Sequence, residues 1–225
     1  MPFPANLFRR TLVKKSVSIF VALLGLMVFP SYAQDAGLYD PAPPAGSAFV
    51  RFINLGAKNE ACKPDIRGKS YDSIDQNKVG PYVPAKSGDA ELKLDAASAK
   101  ETLEEGGYYT VVYRGDALSV IKDDAIKNPV KSMVAFYNLT PRNDISLKTA
   151  DGKVDVIKSL ASGKSGYREI NAVTVKLVVY DGARKAVTLK PIILKRREPT
   201  AIIVRETANG KLAVRVVAAK TDTTQ

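Results

Sequence analysis

The sequence has 225 residues, with 34 Lys and Arg against 23 Asp and Glu, no histidine, no tryptophan and one cysteine, Cys62. Without histidine, Ser-His-Asp and Cys-His catalysis, histidine-bound zinc and the commonest general base near neutral pH are excluded, and one cysteine excludes an intrachain disulfide. The net charge of +11 favours an anionic partner, but the cations are spread along the chain with no Arg-rich arm, so nucleic acid is not expected.

Residues 1–33 have the parts of a cleaved secretory signal. Arg9, Arg10, Lys14 and Lys15 precede an apolar run over 16–29, and Pro30 is followed by the small residues Ser31 and Ala33 where a signal peptidase reads. The run is shorter than the ~18–20 residues that span a bilayer. Cleavage after Ala33 and export to the periplasm are therefore expected. No cysteine stands at the junction to carry a lipid, and the Arg9-Arg10 pair, which also fits a twin-arginine signal, has no cofactor to explain it. Loss of the four signal cations leaves 30 against 23 acids, a net +7, on a mature chain of 192 residues.

Residues 34–46 (QDAGLYDPAPPAG) read as an extended Pro/Gly-rich tether. Strand signals follow at 48–55 (AFVRFINL), near Tyr82-Val83, at 90–94, and at 108–113 and 117–121 around a hairpin turn at Arg114-Gly115-Asp116. Ser98 to Glu105 is the one stretch that reads as a helical turn. A charged segment over 122–130 ends in Asn-Pro and suits a linker.

The pattern then repeats. SMVAFYNLT from residue 132 aligns with AFVRFINLG, setting Val134 on Val50, Phe136 on Phe52, Asn138 on Asn54 and Leu139 on Leu55. Further strands are expected at 145–149, 153–157, 173–180, 186–194, 201–205 and 212–217. The last two flank Asn209-Gly210, a pair that tolerates the positive φ of a type I′ turn. Pro191 inside a strand-like run predicts an edge or a bulge. About five to seven strands per cycle, at this spacing, predict an all-β protein of two tandem small antiparallel β-sandwich (Ig-like) domains, at 47–127 and 128–221. A single continuous barrel would leave the repeat unexplained.

Signatures of chemistry are sparse. Asp123-Asp124 and Glu104-Glu105 are adjacent carboxylates that point to opposite faces on a strand and cap or solvate in turns. Gly163-Lys164-Ser165 lacks the upstream glycine and strand of a phosphate loop. Cys62 reads as an incidental loop residue, with a reactive thiol as the alternative. No metal site and no cofactor are expected. Lys195, Arg196 and Arg197, with Arg184 and Lys185 nearby in sequence, form the densest positive cluster. It reads either as an anion-binding patch or as a guard against strand aggregation. Tyr39, Tyr82 and Tyr167 stand in turn-like settings where an exposed ring would stack on a sugar, whereas Tyr108, Tyr109 and Tyr113 read as ordinary strand residues.

The segment QDAGLYDPAPPAGSAFVRFINLG, residues 34–56, resembles the start of the mature chain in the AlgF family, periplasmic proteins of alginate O-acetylation. The resemblance implies a non-catalytic adaptor, needed to acetylate mannuronate in alginate or a related exopolysaccharide. Its expected partners are periplasmic and membrane-associated O-acetyltransferase proteins, with the anionic polysaccharide a further candidate. A module that holds the polysaccharide directly, with Lys195, Arg196, Arg197, Arg184, Lys185 and Tyr39 as binding residues, is the alternative.

Overall fold

The computed structural model describes residues 42–57 and 60–225. The expected signal peptide, part of the tether, and Tyr39 lie outside the described residues. Among these residues the secondary structure is all strand.

The first cycle runs β1 (Ser47–Asn54), β2 (Pro64–Ile66), β3 (Lys69–Ser70), β4 (Val83–Lys86), β5 (Gly88–Leu94), β6 (Ala97–Leu103), β7 (Tyr108–Arg114) and β8 (Ala117–Asp123). These form two four-stranded sheets, in the orders β4-β1-β7-β8 and β3-β2-β5-β6. The second cycle runs β9 (Lys131–Leu139), β10 (Ile145–Thr149), β11 (Asp155–Leu160), β12 (Ser165–Asn171), β13 (Thr174–Val175), β14 (Leu177–Asp181), β15 (Arg184–Thr188), β16 (Ile192–Ile193), β17 (Pro199–Glu206) and β18 (Leu212–Ala218). Its sheets are β12-β9-β17-β18 and β11-β10-β14-β15, with β13 and β16 as a separate pair. Two tandem β-sandwiches are the architecture, as the repeat predicted.

The repeat is visible in side-chain chemistry. Asn54 and Asn138 are both fully buried at the end of the first strand of their cycle. Asn54 Oδ1 accepts the Gly56 N–H while Nδ2 donates to the carbonyls of Glu60 and Ile74. Asn138 does the same with the Thr140 N–H and the carbonyls of Arg142 and Leu160. Each amide pins the turn that leaves the strand, satisfying backbone groups that burial would otherwise strand.

Each cycle also contains one pairing that an antiparallel expectation omits. β1 runs parallel to β7 and β9 runs parallel to β17. The chain passes through the second sheet of each sandwich between them, which supplies the long crossover that a parallel pair needs. Ser98 to Glu105 is not a helical turn: β6 pairs with β5 from Leu94↔Ala97 to Gly88↔Leu103. Burial of Ala97 and Leu103 in the first core outweighs the local helix preference.

The Gly115-Asp116 turn has φ of 55° and 64° and closes β7 on β8 in two residues, the geometry of a type I′ hairpin. At Asn209-Gly210 only the glycine takes positive φ, and Thr207 N–H donates to Lys211 O, so the pair closes the loop between Glu206 and Leu212 without forming the type I′ turn that it suggested. Pro191 falls in the break between the edge strand β15 and β16.

Three apolar cores result. Ala48, Val50 and Phe52 of β1 face the first, with Tyr109, Val111 and Tyr113 of β7. Val134 and Phe136 of β9 face the second, with Ile202 and Val204 of β17. Residues on the opposite faces of these strands, Ile53, Val112, Ala135, Tyr137, Leu139, Ala201 and Ile203, form a third. The central strands therefore bury both faces, one inside their own sandwich and the other against the neighbouring sandwich. This is why they read as nearly continuous apolar runs.

Two further connections tie the sandwiches together. The carboxyl-terminal segment returns to the first, where Tyr82 N–H donates to Lys220 O and Asp222 N–H to Tyr82 O. Pro84, two residues on, offers no amide to extend this added pairing along the β4 edge. The segment between β8 and β9 is held to β12, because Glu169 Oε1 accepts the amides of Lys127 and Asn128.

Candidate functional site

The most concentrated chemistry lies where the sandwiches meet. Arg51 projects from β1 into this interface and is 1% exposed. Its Nε donates to Thr110 Oγ1 at 2.9 Å and Nη2 donates to the Tyr137 hydroxyl at 2.8 Å. Its guanidinium lies 4.5 Å from the centre of the Tyr82 ring and 5.3 Å from that of Tyr137, within cation–π range.

Asp123, the last residue of β8 and 8% exposed, is the acceptor at the centre. Tyr137 and Tyr167 donate to Oδ1 at 2.8 and 2.7 Å, and Tyr82 and Thr110 donate to Oδ2 at 2.7 and 2.5 Å. Four hydroxyls thus use both carboxylate oxygens twice. Thr110 and Tyr137 each accept from Arg51 and donate to Asp123, so one buried network neutralises both charges.

The electrostatics hold these protonation states. Burial alone would lower the Arg51 pKa, but the surrounding Tyr137, Tyr82 and Asp123 raise it on balance, keeping the guanidinium charged. Burial pushes the phenols of Tyr82, Tyr137 and Tyr167 above their ordinary value. Asp123 adds to this in all three, and Arg51 opposes it in the first two. They serve as hydroxyl donors, not as phenolate bases.

A cavity of about 370 Å³ opens beside the network, a size within the range of ligand pockets. Arg51, Asp123 and Tyr137 line it together with apolar Met133 and Ala135 and the exposed cations Lys127 and Arg197. Thr110 next to Asp123 has the local form of a nucleophile and base. It is completely buried, however, and its oxygen is held between Arg51 and Asp123. Among the described residues no group of three acidic or cysteine side chains could hold a metal ion.

The sequence-predicted cations do not gather in one place. Arg197 donates its backbone N–H to Lys131 O at the start of β9, and Lys195 pairs with Glu198 at 3.7 Å. Arg184 pairs with Asp181 at 3.1 Å near the far end of that strand, where Arg142 also contacts Asp181 and Glu206. Lys185 donates to Ala150 O. The two groups are a strand length apart, roughly 26 Å at ~3.3 Å per residue. Of them, Arg197 lines the cavity.

Tyr82 and Tyr167 are not the exposed rings their turn-like settings suggested, since Tyr82 is buried and Tyr167 partly so. Asp123, expected to solvate or cap, is the hub. Arg51 was the readable signal: it is the one charge in its strand, flanked by Phe49, Val50, Phe52 and Ile53, and it aligns with Ala135 in the second cycle. A charge there must be buried with partners or mark a functional face.

A family model described as "Alginate O-acetyl transferase AlgF" matches residues 21–201. The chain is 34% identical over 189 residues to alginate biosynthesis protein AlgF of Pseudomonas syringae pv. tomato, covering 80% of this chain and 81% of that one. It is 35% identical over 198 residues to alginate biosynthesis protein AlgF of Pseudomonas aeruginosa, covering 84% and 87%. A solved C-terminal domain of AlgF from P. aeruginosa is 42% identical, covering 40% of this chain and 98% of that one, with a TM-score of 0.37.

Proposed function

This chain belongs to the AlgF family of alginate O-acetylation, and from that premise we propose that it acts as a non-catalytic periplasmic adaptor linking polysaccharide O-acetyltransferase proteins. In this reading residues 1–33 direct export and are removed, and the two sandwiches are the working part.

The commitment of the buried network is the observation that carries the non-catalytic reading. Acetyl transfer through an acyl-enzyme needs a nucleophile that substrate can reach and a base free to take its proton. The buried Thr110 hydroxyl is enclosed, Asp123 already accepts four hydrogen bonds, and the cleft tyrosines are held neutral. The network instead makes a rigid joint that presents the surfaces of two sandwiches in fixed relation, as an adaptor requires.

Direct grip on the polymer by ring stacking is less well supported. The Tyr82 ring is covered by Arg51 and meets Tyr108 edge-on, Tyr137 meets Tyr167 edge-on, and Tyr108 stacks on Phe49 at 4.8 Å. These aromatic surfaces are spent on one another.

Co-elution tests the reading. The purified mature chain, mixed with the polymer acetyltransferases of the same organism, is expected to form a stable complex on size exclusion. Repeated failure to retain any of them contradicts the adaptor role.

A further inference from the structure

We propose that the cleft between the sandwiches is a docking groove for an extended acidic segment of a partner protein. This rests on the adaptor reading and assigns the surface through which such an adaptor takes hold.

A length of exposed backbone lies open beside the cavity. β8 ends at Asp123, and the next amides with partners are those of Lys127 and Asn128, held by Glu169. Between them, Asp124, Ala125 and Ile126 line the cleft, and their backbone N–H and C=O groups make no hydrogen bond among the described residues. An open run of amides and carbonyls beside a pocket is a template for strand addition, a recurring way in which β-proteins bind an extended peptide.

Charge at the same place selects the peptide. Arg51 and Asp123 compensate each other, which leaves Lys127 and Arg197 against Asp124 along the cleft. Neither Lys127 nor Arg197 forms an ion pair among the described residues. Glu169 lies in the field of Lys127 and Lys131, but its carboxylate is engaged by linker amides. Exposed Arg196 adjoins Arg197, and Lys195 is paired with Glu198. The balance is cationic and fits a segment rich in Asp and Glu. Met133 and Ala135 give the cleft an apolar floor for alternate side chains, and Met adapts to varied shapes.

The test uses the full mature chain and two synthetic peptides, one alternating Asp or Glu with Val, the other Lys with Val. Backbone amide spectra are expected to shift at Asp124, Ala125, Ile126 and Lys127 on saturable binding of the acidic peptide, with the lysine peptide at least about tenfold weaker. Lys127→Glu combined with Arg197→Glu reverses the charge, and Ala125→Pro or Ile126→Pro removes a donor at constant charge. Each change is expected to weaken binding while the remaining amide spectrum stays folded. Absent binding, binding indifferent to peptide charge, or shifts elsewhere overturn the proposal. So do oligomannuronate shifting these amides in the peptide's place and self-association that fills the cleft. If the peptide fails while co-elution with the acetyltransferases succeeds, the groove assignment falls and the adaptor reading stands.

Discussion

Arg51 and Asp123, opposite charges buried where the sandwiches meet, are joined through two shared hydroxyls, those of Thr110 and Tyr137, not by a direct ion pair. Arg51, Thr110, Tyr82 and Asp123 belong to the first sandwich, Tyr137 and Tyr167 to the second. The joint is thus a polar network inside an otherwise apolar contact, and such networks fix one arrangement when every member is satisfied.

Asp123→Ala should therefore be severe. It leaves four hydroxyls without their acceptor and Arg51 without its counter-charge, and loss of one partner of a buried pair costs about 3–5 kcal/mol. Arg51→Met should cost less when combined with Asp123→Ala than the sum of the two single changes. Urea denaturation of the four proteins in the cycle gives the coupling, and strict additivity would contradict a shared network.

The equivalent asparagines give a second expectation. Asn54→Ala and Asn138→Ala each remove three side-chain hydrogen bonds to the backbone, so each should destabilise by about 1–3 kcal/mol. Asn138→Asp should also destabilise, because an acceptor replaces the amide that donates to Arg142 O and Leu160 O. Thermal unfolding checks all three.

Acid should release the segment between the sandwiches. The amides of Lys127 and Asn128 hold Glu169 below its ordinary value. A carboxylate with a depressed folded pKa contributes stability above its unfolded value, near 4.5, and loses it as pH falls through the lower folded value. Hydrogen exchange at these two amides should be protected at neutral pH relative to Glu169→Gln, with the difference vanishing in acid. Constant protection of both proteins across the range would contradict the clamp.

Alkali reports on the other side. Burial, then bonding to Asp116 and the charges of Asp116 and Asp95, raise Tyr113 to about 12. Tyr82, Tyr137 and Tyr167 are displaced upward as well. A phenol raised in the fold contributes stability below its unfolded pKa, near 10, and loses it as pH rises through the folded value. Phenolate absorbance should show Tyr82, Tyr137 and Tyr167 ionising only with unfolding, and Tyr113 near pH 12. Their titration near pH 10 in the folded chain would contradict the buried network.

Much of this architecture was legible because it is written locally. The hairpin at Gly115-Asp116 and the alternation of β5 are near-neighbour patterns, and the pairing of Asn54 with Asn138 is a sequence repeat with a backbone purpose. The rest depends on what meets across the fold. Nothing local marks β1 and β7 as parallel neighbours. Asp123 and Asp124 look alike in sequence, yet one ends a strand inside the joint and the other faces the cleft. Arg184 and Arg197 lie close in sequence but at opposite ends of β9, since the intervening chain runs the length of the sandwich. Tyr82 reads as a turn residue until the carboxyl-terminal segment and the second sandwich cover it.

A non-catalytic role in acetylation is the function proposed for this chain. It is tested most directly by measuring the acetyl content of the polysaccharide secreted by a deletion strain, alongside acetyl-donor turnover by the purified chain. Polymer should still be made but have lost its acetyl groups, and the pure protein should turn over no donor. Unchanged acetylation, or steady turnover by the protein alone, would contradict it.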